Sequence, residues 1–138
     1  MRVSKNEVRA KLIKTALGQI EADLVIKNAQ ILNVFTDEII SGDVAVHGGW
    51  IAGVGEYTKA KKSIDASGMY LVPGFINAHC HVESSISSPK YYSAAEIRHG
   101  VTTIIADPHE LANVAGAEGI RYLLNSLKDM QIDCYVQA

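Results

Sequence analysis

The sequence is poor in cysteine, in charge of one sign and in long apolar runs, and each shortage closes off a class of protein. Its 2 cysteines, Cys80 and Cys134, lie in separate apolar runs without CxxC spacing. Neither a disulfide framework nor a zinc knuckle is indicated, and both thiols read as small apolar filler. With 13 Lys and Arg against 15 Asp and Glu, a formal net charge of -2, there is no basic stripe to neutralise a phosphate backbone, which argues against a nucleic-acid partner. No apolar stretch approaches the ~20 residues that cross a bilayer. The opening MRVSKNEVRAKL also lacks the apolar core of a signal peptide. The reading is a cytoplasmic protein with no membrane partner. No internal repeat or low-complexity segment occurs. What is present is 138 residues with 48% hydrophobic side chains, the make-up of a folded domain rather than a disordered tail.

Three patterns follow one another along the chain. In residues 1–20, Ser4 and Glu7 stand at capping-box spacing, Val8, Leu12 and Ala16 recur four apart, and Gly18 is placed to stop a helix. Residues 21–72 are β-rich: ADLVIKNAQILNVF, GDVAVHGGWIAGVG and KSIDASGMYLV are full of Val, Ile and Leu and cut by glycines. HGGW at 47–50 predicts a two-residue hairpin turn, because adjacent glycines tolerate the positive φ that such turns require. A small antiparallel sheet is expected up to about Val72. His47 reads as a solvated turn residue.

In residues 73–138 strands alternate with helices. GFINAH, VTTIIAD and IDCYV read as strands, and SPKYYSAAEIRHG, ended by Gly100, and GAEGIRYLLNSLKDM as helices. That alternation predicts a parallel sheet with right-handed crossovers. His99 falls at a helix C-terminus, where a charged imidazole suits the dipole. The third strand would have an open edge and no covering helix, which reads as the start of a larger α/β domain or a sheet completed by another chain. A homo-oligomer is expected on that ground. A complete (β/α)8 barrel takes about 250 residues.

The chemistry gathers at strand ends. In GFINAHCHVESS, residues 74–85, His79 and His81 are one residue apart. Side chains alternate along a strand, so the two imidazoles share a side while Cys80 takes the other. Their Cα atoms would be roughly 6.6 Å apart, close enough for both rings to meet one ion. The bland alternative is one surface and one core-edge histidine. Glu83, Ser84 and Ser85 follow that strand, and Asp107, Pro108, His109 and Glu110 follow the next. Neutral imidazoles with carboxylates suit Zn, Fe or Mn, whereas an all-oxygen set would favour Mg or Ca. Asp107 equally suits a turn and helix start before Pro108, and His109 could cap or pack.

IDASGMYLVPGFINAHCHVE resembles the signature of the amidohydrolase superfamily, in which a short β-sandwich leads through a Pro-Gly strand into the HxH of a metal-dependent TIM barrel. Within it, the stretches from about Arg9 onward, HCHVESS and HGVTTIIADPHELANVAG are similar to the N-terminal part of bacterial and archaeal adenine deaminases. The implied fold class is α/β: a small β-sandwich subdomain followed by the start of a TIM-type (β/α)8 barrel, incomplete in this chain. The implied activity, expected of the complete chain, is hydrolytic deamination of adenine to hypoxanthine and ammonia. The resemblance makes His79 and His81 ligands of one metal in a two-metal centre holding Mn or Fe, with Zn common in related enzymes. Such a metal makes water acidic enough to furnish hydroxide near neutral pH.

Glu83, Asp107, His109 and Glu110 become candidates for orienting those imidazoles or lining the substrate pocket. The resemblance puts the remaining ligands and the proton donor beyond Ala138. One departure is Asn77, where adenine deaminases more usually have Asp; Asn cannot carry that charge. Two other readings stand beside this one. The first is another amidohydrolase, a cyclic-amide hydrolase or a different deaminase. The second is a truncated, non-catalytic assembly module.

Overall fold

The computed structural model describes residues 5–137. Its contacts divide into two compact units, one running to Pro73 and the other from Gly74.

The first unit opens with α1 (Lys5–Ala16). Ser4 of the capping box lies outside the described residues. Gly18, at φ 65°, ends the helix in the left-handed conformation that costs a glycine little. Five strands follow: β1 (Leu24–Asn33), β2 (Glu38–His47), β3 (Trp50–Gly55), β4 (Ser63–Asp65) and β5 (Tyr70–Leu71). β2 and β3 are joined by Gly48 and Gly49, at φ 60° and 79°, the hairpin that HGGW predicts.

The sheet is mixed rather than antiparallel. β1–β2 and β2–β3 are antiparallel, but β4 and β5 run parallel to β1, with Val25 opposite Ser63 and Gln30 opposite Tyr70. The reason is the return path. β3 already runs in the sense of β1, and residues 56–62 carry the chain back to the start of β1, where Ala60 bridges Ala22. β4 therefore sets out in that same sense. These strands form one five-stranded sheet, the part of the implied sandwich that the described residues supply.

Ala22, Val25, Ala45 and Tyr57 form one buried cluster, and Ala29, Ile31, Val44 and Ala66 another. An apolar groove of about 430 Å³, lined by Ile26, Ile40, Val46, Ile51 and Leu71 among others, remains open on this sheet.

Polar pins hold this sheet in register. Asn28 sits at φ 59° in β1, at a break in the pairing with β2. Its N–H donates to Asp43 Oδ1 at 3.0 Å, Tyr57 N–H donates to Asp43 Oδ2 at 3.2 Å, and Lys27 Nζ lies 3.3 Å from the same carboxylate. Burial raises the Asp43 pKa, but these three donors outweigh it and hold the group below the ordinary carboxylate value. His47 is not a solvated turn residue. Its side chain is only 18% exposed and its Nδ1 lies 3.6 Å from Asp23. The hairpin folds it against the start of β1, because Asp23 accepts the Gly48 N–H at 2.8 Å.

The second unit is a parallel sheet in the order β6 (Phe75–Cys80), β7 (Val101–Ala106), β8 (Asp133–Val136). A 3-10 turn (Glu83–Ser85) and α2 (Pro89–Arg98) link β6 to β7. Pro89 starts α2 where its missing N–H costs nothing, and Gly100, at φ 84°, turns the chain into β7.

Between β7 and β8 lies α3 (His109–Ser126). This helix begins seven residues before Gly116, where the sequence suggests its start. Residues 109–115 are themselves helical, and Gly116, at φ 58° and ψ -144°, is not: this bend separates that first stretch from a second, which begins where the sequence suggests. The bend lays Gly119 against Leu111, so that a Cβ at Gly119 would come 2.5 Å from the Leu111 carbonyl oxygen. Cys80, Val82, Ile104, Ala106, Leu123 and Ile132 form the core of this unit. Burial pushes both thiols up, that of Cys134 to about 11, so both cysteines are packing residues. No helix of the described residues is long and apolar enough to cross a membrane.

Candidate metal centre

The strand ends at which functional groups collect in parallel α/β sheets are here the C-termini of β6 and β7. Cys80 turns into the core, at 8% exposure, which puts His79 and His81 on the other side. Their Nε2 atoms are 3.2 Å apart, with the rings edge to face. His81 Nδ1 lies 2.8 Å from the backbone oxygen of Asp107. A carbonyl oxygen only accepts, so Nδ1 carries a proton, and in the neutral ring the Nε2 that faces His79 keeps the lone pair. A ring nitrogen tied to a carbonyl while the other is freed is the arrangement that prepares histidine for a metal.

The donor spacing fits an ion. Nitrogens each about 2.1 Å from a common metal lie roughly 3.0 Å apart at a right angle and about 3.4 Å apart at a tetrahedral one. The observed separation falls between these values. His79, His81 and Asp107 each offer a donor atom, all within 4.8 Å of one another, and His81, His109 and Glu110 form a second such group.

Asp107 makes three contacts besides the one to His81, with Cys80 and His109. Its N–H donates to Cys80 O at 2.9 Å, its Oδ1 accepts the His109 N–H at 3.2 Å, and its Oδ2 lies 3.2 Å from His109 Nδ1. His109 lowers the Asp107 pKa, chiefly through the side-chain hydrogen bond, against a smaller opposing effect of burial. The turn reading of Asp107 and its place beside the histidines therefore hold together. The His109 ring stands edge to face with His81, centroids 4.6 Å apart.

Glu83 stands outside both donor groups, and accepts the Leu111 N–H at 3.3 Å. Asn77 Oδ1 accepts the His79 N–H at 3.4 Å, a bond that Asn makes without a charge. Two contributors were not legible in the sequence: the Asp107 backbone carbonyl, and the Ser84 hydroxyl, which donates to Glu110 Oε2 at 2.6 Å. The serine is visible after the HxH, but nothing in its spacing names a partner 26 residues away.

A parallel βα sheet with paired histidines at the end of its first strand is the arrangement of a metal-dependent hydrolase. Residues 70–138 match the model of the amidohydrolase family, half of the chain, and the chain belongs to that family. The family implies a divalent metal. Among curated proteins it is 50% identical over 119 residues to an adenine deaminase of Listeria monocytogenes (86% of this chain, 21% of the relative). It is 52% identical over 123 residues to one of Clostridium acetobutylicum (89% and 21%), and 50% identical over 124 residues to one of Geobacillus kaustophilus (90% and 21%). The chain thus spans about a fifth of the length of the curated relatives it matches. Among solved structures it is similar to an N-acyl-D-glutamate deacylase from Bordetella bronchiseptica, complexed with zinc and a phosphonate mimic of the tetrahedral intermediate. That likeness has a TM-score of 0.53 and 28% identity, and covers 63% of this chain and 19% of the deacylase.

Proposed function

We propose that this chain supplies the opening metal ligands of an enzyme that deaminates adenine hydrolytically, taking up water and releasing hypoxanthine and ammonia. The observation that carries the reading is the meeting of His79 Nε2 and His81 Nε2 at 3.2 Å, with His81 Nδ1 committed to the Asp107 carbonyl. The substrate comes from the curated adenine deaminases about 50% identical over most of the chain.

When bound, a divalent ion, Mn or Fe by preference and Zn as the alternative, supplies the Lewis acidity that makes water a usable nucleophile near neutral pH. His79 and His81 hold it on one side. Asp107 fixes the His81 tautomer through its carbonyl and brings a carboxylate to the same group of donors. His109, paired with Asp107, and Glu110 form a second donor group with His81, from which they can face a substrate. The remaining ligands and the proton donor to the departing nitrogen are assigned to the part of the relatives that this chain does not span.

A chimera in which this chain replaces the matching segment of the Clostridium acetobutylicum relative tests the reading. Loaded with Mn²⁺, it is expected to release ammonia from adenine, and the His79→Ala/His81→Ala form is expected to lose both the metal and the activity. A well-folded chimera that holds metal but hydrolyses a hydantoin in place of adenine would move the assignment to the cyclic-amide hydrolases.

A further inference from the structure

The turn that follows His81 is tied to the start of α3 by the side chains of Glu83 and Ser84, neither of which belongs to a donor group. Glu83 Oε1 accepts the Leu111 N–H at 3.3 Å, and Ser84 Oγ donates to Glu110 Oε2 at 2.6 Å. Three residues before the nearer of these ties stands Asp107, whose N–H donates to Cys80 O at 2.9 Å and whose carbonyl accepts from His81 Nδ1 at 2.8 Å. The loop of residues 107–111 is thus held at both ends by the segment of residues 80–84. The carbonyl that sets the His81 tautomer lies inside that span.

We propose that Glu83 and Ser84 are positioning residues: they clasp the β7–α3 loop onto the turn after β6 and so hold the Asp107 carbonyl against His81 Nδ1. The proposal rests on the reading of His79 and His81 as metal ligands for its purpose, though not for its geometry. Glu83 acts through Oε1. Its other oxygen, Oε2, is buried without a hydrogen-bond partner, so replacing that atom by an amide nitrogen removes no bond. Glutamine at this position keeps an oxygen for the Leu111 N–H, and alanine does not. Geometry, not charge, is therefore the property under test.

Two readouts on the purified chain separate the possibilities. In the metal-free protein, ¹⁵N NMR of the imidazoles is expected to show His81 predominantly protonated at Nδ1 in wild type and in Glu83→Gln. In Glu83→Ala that signal is expected to shift toward the tautomer mixture of a solvent-exposed ring. Zn²⁺ titration is expected to show affinity lowered about 10–100-fold in Glu83→Ala, the range for losing an outer-shell partner of a ligand histidine. The loss should be smaller in Ser84→Ala, and Glu83→Gln should stay near wild type.

An unchanged His81 tautomer in Glu83→Ala overturns the clasp. So does a Glu83→Gln variant whose His81 tautomer shifts as far as in Glu83→Ala, since the oxygen that accepts the Leu111 N–H would then not be what holds the loop. Should Glu83→Ala fail to fold, Ser84→Ala decides by the same two readouts, unchanged values overturning the proposal. Wild-type protein that binds Zn²⁺ no better than His81→Ala refutes the metal reading instead, and the tautomer measurement still decides the clasp.

Discussion

Each unit contains a histidine beside an aspartate, and the two pairs are put to different use. In the first, His47 Nδ1 lies 3.6 Å from Asp23, and Asp23 is taken up by Lys61 Nζ at 2.6 Å and the Gly48 N–H at 2.8 Å. In the second, His109 Nδ1 lies 3.2 Å from Asp107, whose carbonyl accepts from His81 and leaves His81 Nε2 facing His79 Nε2. The first carboxylate is satisfied by donors that fasten a hairpin. At the second, two ring nitrogens are turned toward each other. What separates a fastening from a candidate site is whether a second ring nitrogen converges on the first, as it does at His79 and His81 and not at His47; residue type alone does not show it.

The strongest way to break this contrast is to remove one histidine from each unit. His81→Ala is expected to lower Zn²⁺ or Mn²⁺ affinity by more than the 10–100-fold typical of losing a ligand's outer partner, as measured by calorimetric titration. His47→Ala is expected to leave it unchanged. Equal losses in the two variants would mean that the contrast is false.

Asp43 sharpens the same point from the structural side. Asp43→Ala strips an acceptor from the Asn28 and Tyr57 N–H groups and a partner from Lys27. At about 1–3 kcal/mol for each of the two N–H donors left without a partner, the expected loss is about 2–6 kcal/mol of folding free energy. The denaturation midpoint should fall, while the ratio of Zn²⁺ affinities between wild type and His81→Ala stays as it was.

The sequence made the alternation of strands and helices after Pro73 readable, because Gly100 punctuates it and apolar runs of strand length flank each helix. It made the histidine pair readable as well, since a period of two is enough to place His79 and His81 on one side of β6. The parallel pairing of β4 and β5 was not readable. It depends on the path of residues 56–62, which have no periodicity of their own. The fixing of His81 was hidden for a different reason: the acceptor is a backbone carbonyl, and every residue has one. His47 was misplaced because glycines beside it signal a turn but not which neighbour the turn folds against.

A smaller effect is expected at the bend of α3. A methyl group at Gly119 would come 2.5 Å from the Leu111 carbonyl oxygen, and backbone can yield only by moving. Gly119→Ala is expected to cost about 1–3 kcal/mol, the usual range for overpacking. Because Leu111 also donates to Glu83, the variant should weaken Zn²⁺ binding as well as stability. A variant of unchanged midpoint would show that the two parts of the helix separate freely.

The smallest effect is expected from pH acting on the hairpin pin. The Asp23 carboxyl is lowered to about 2, first by the Lys61 hydrogen bond and then by the Gly48 N–H. In the unfolded chain it titrates near 3.9. A carboxyl whose pKa is lower when folded stabilises the fold above its unfolded value, and that contribution is lost as pH falls through the folded one. The contribution of Asp23 should therefore be whole above about pH 4 and fade toward pH 2. Because the ion pair is exposed, its size should be small and should shrink further in high salt. Thermal melts from pH 5 to pH 2 on wild type and Asp23→Asn test this. The gap between the two curves should close across that window. A gap that persists at pH 2 would mean that the Gly48 and Lys61 contacts do not depend on the charge of Asp23, and the pin would then be a matter of shape, as at the clasp proposed for Glu83.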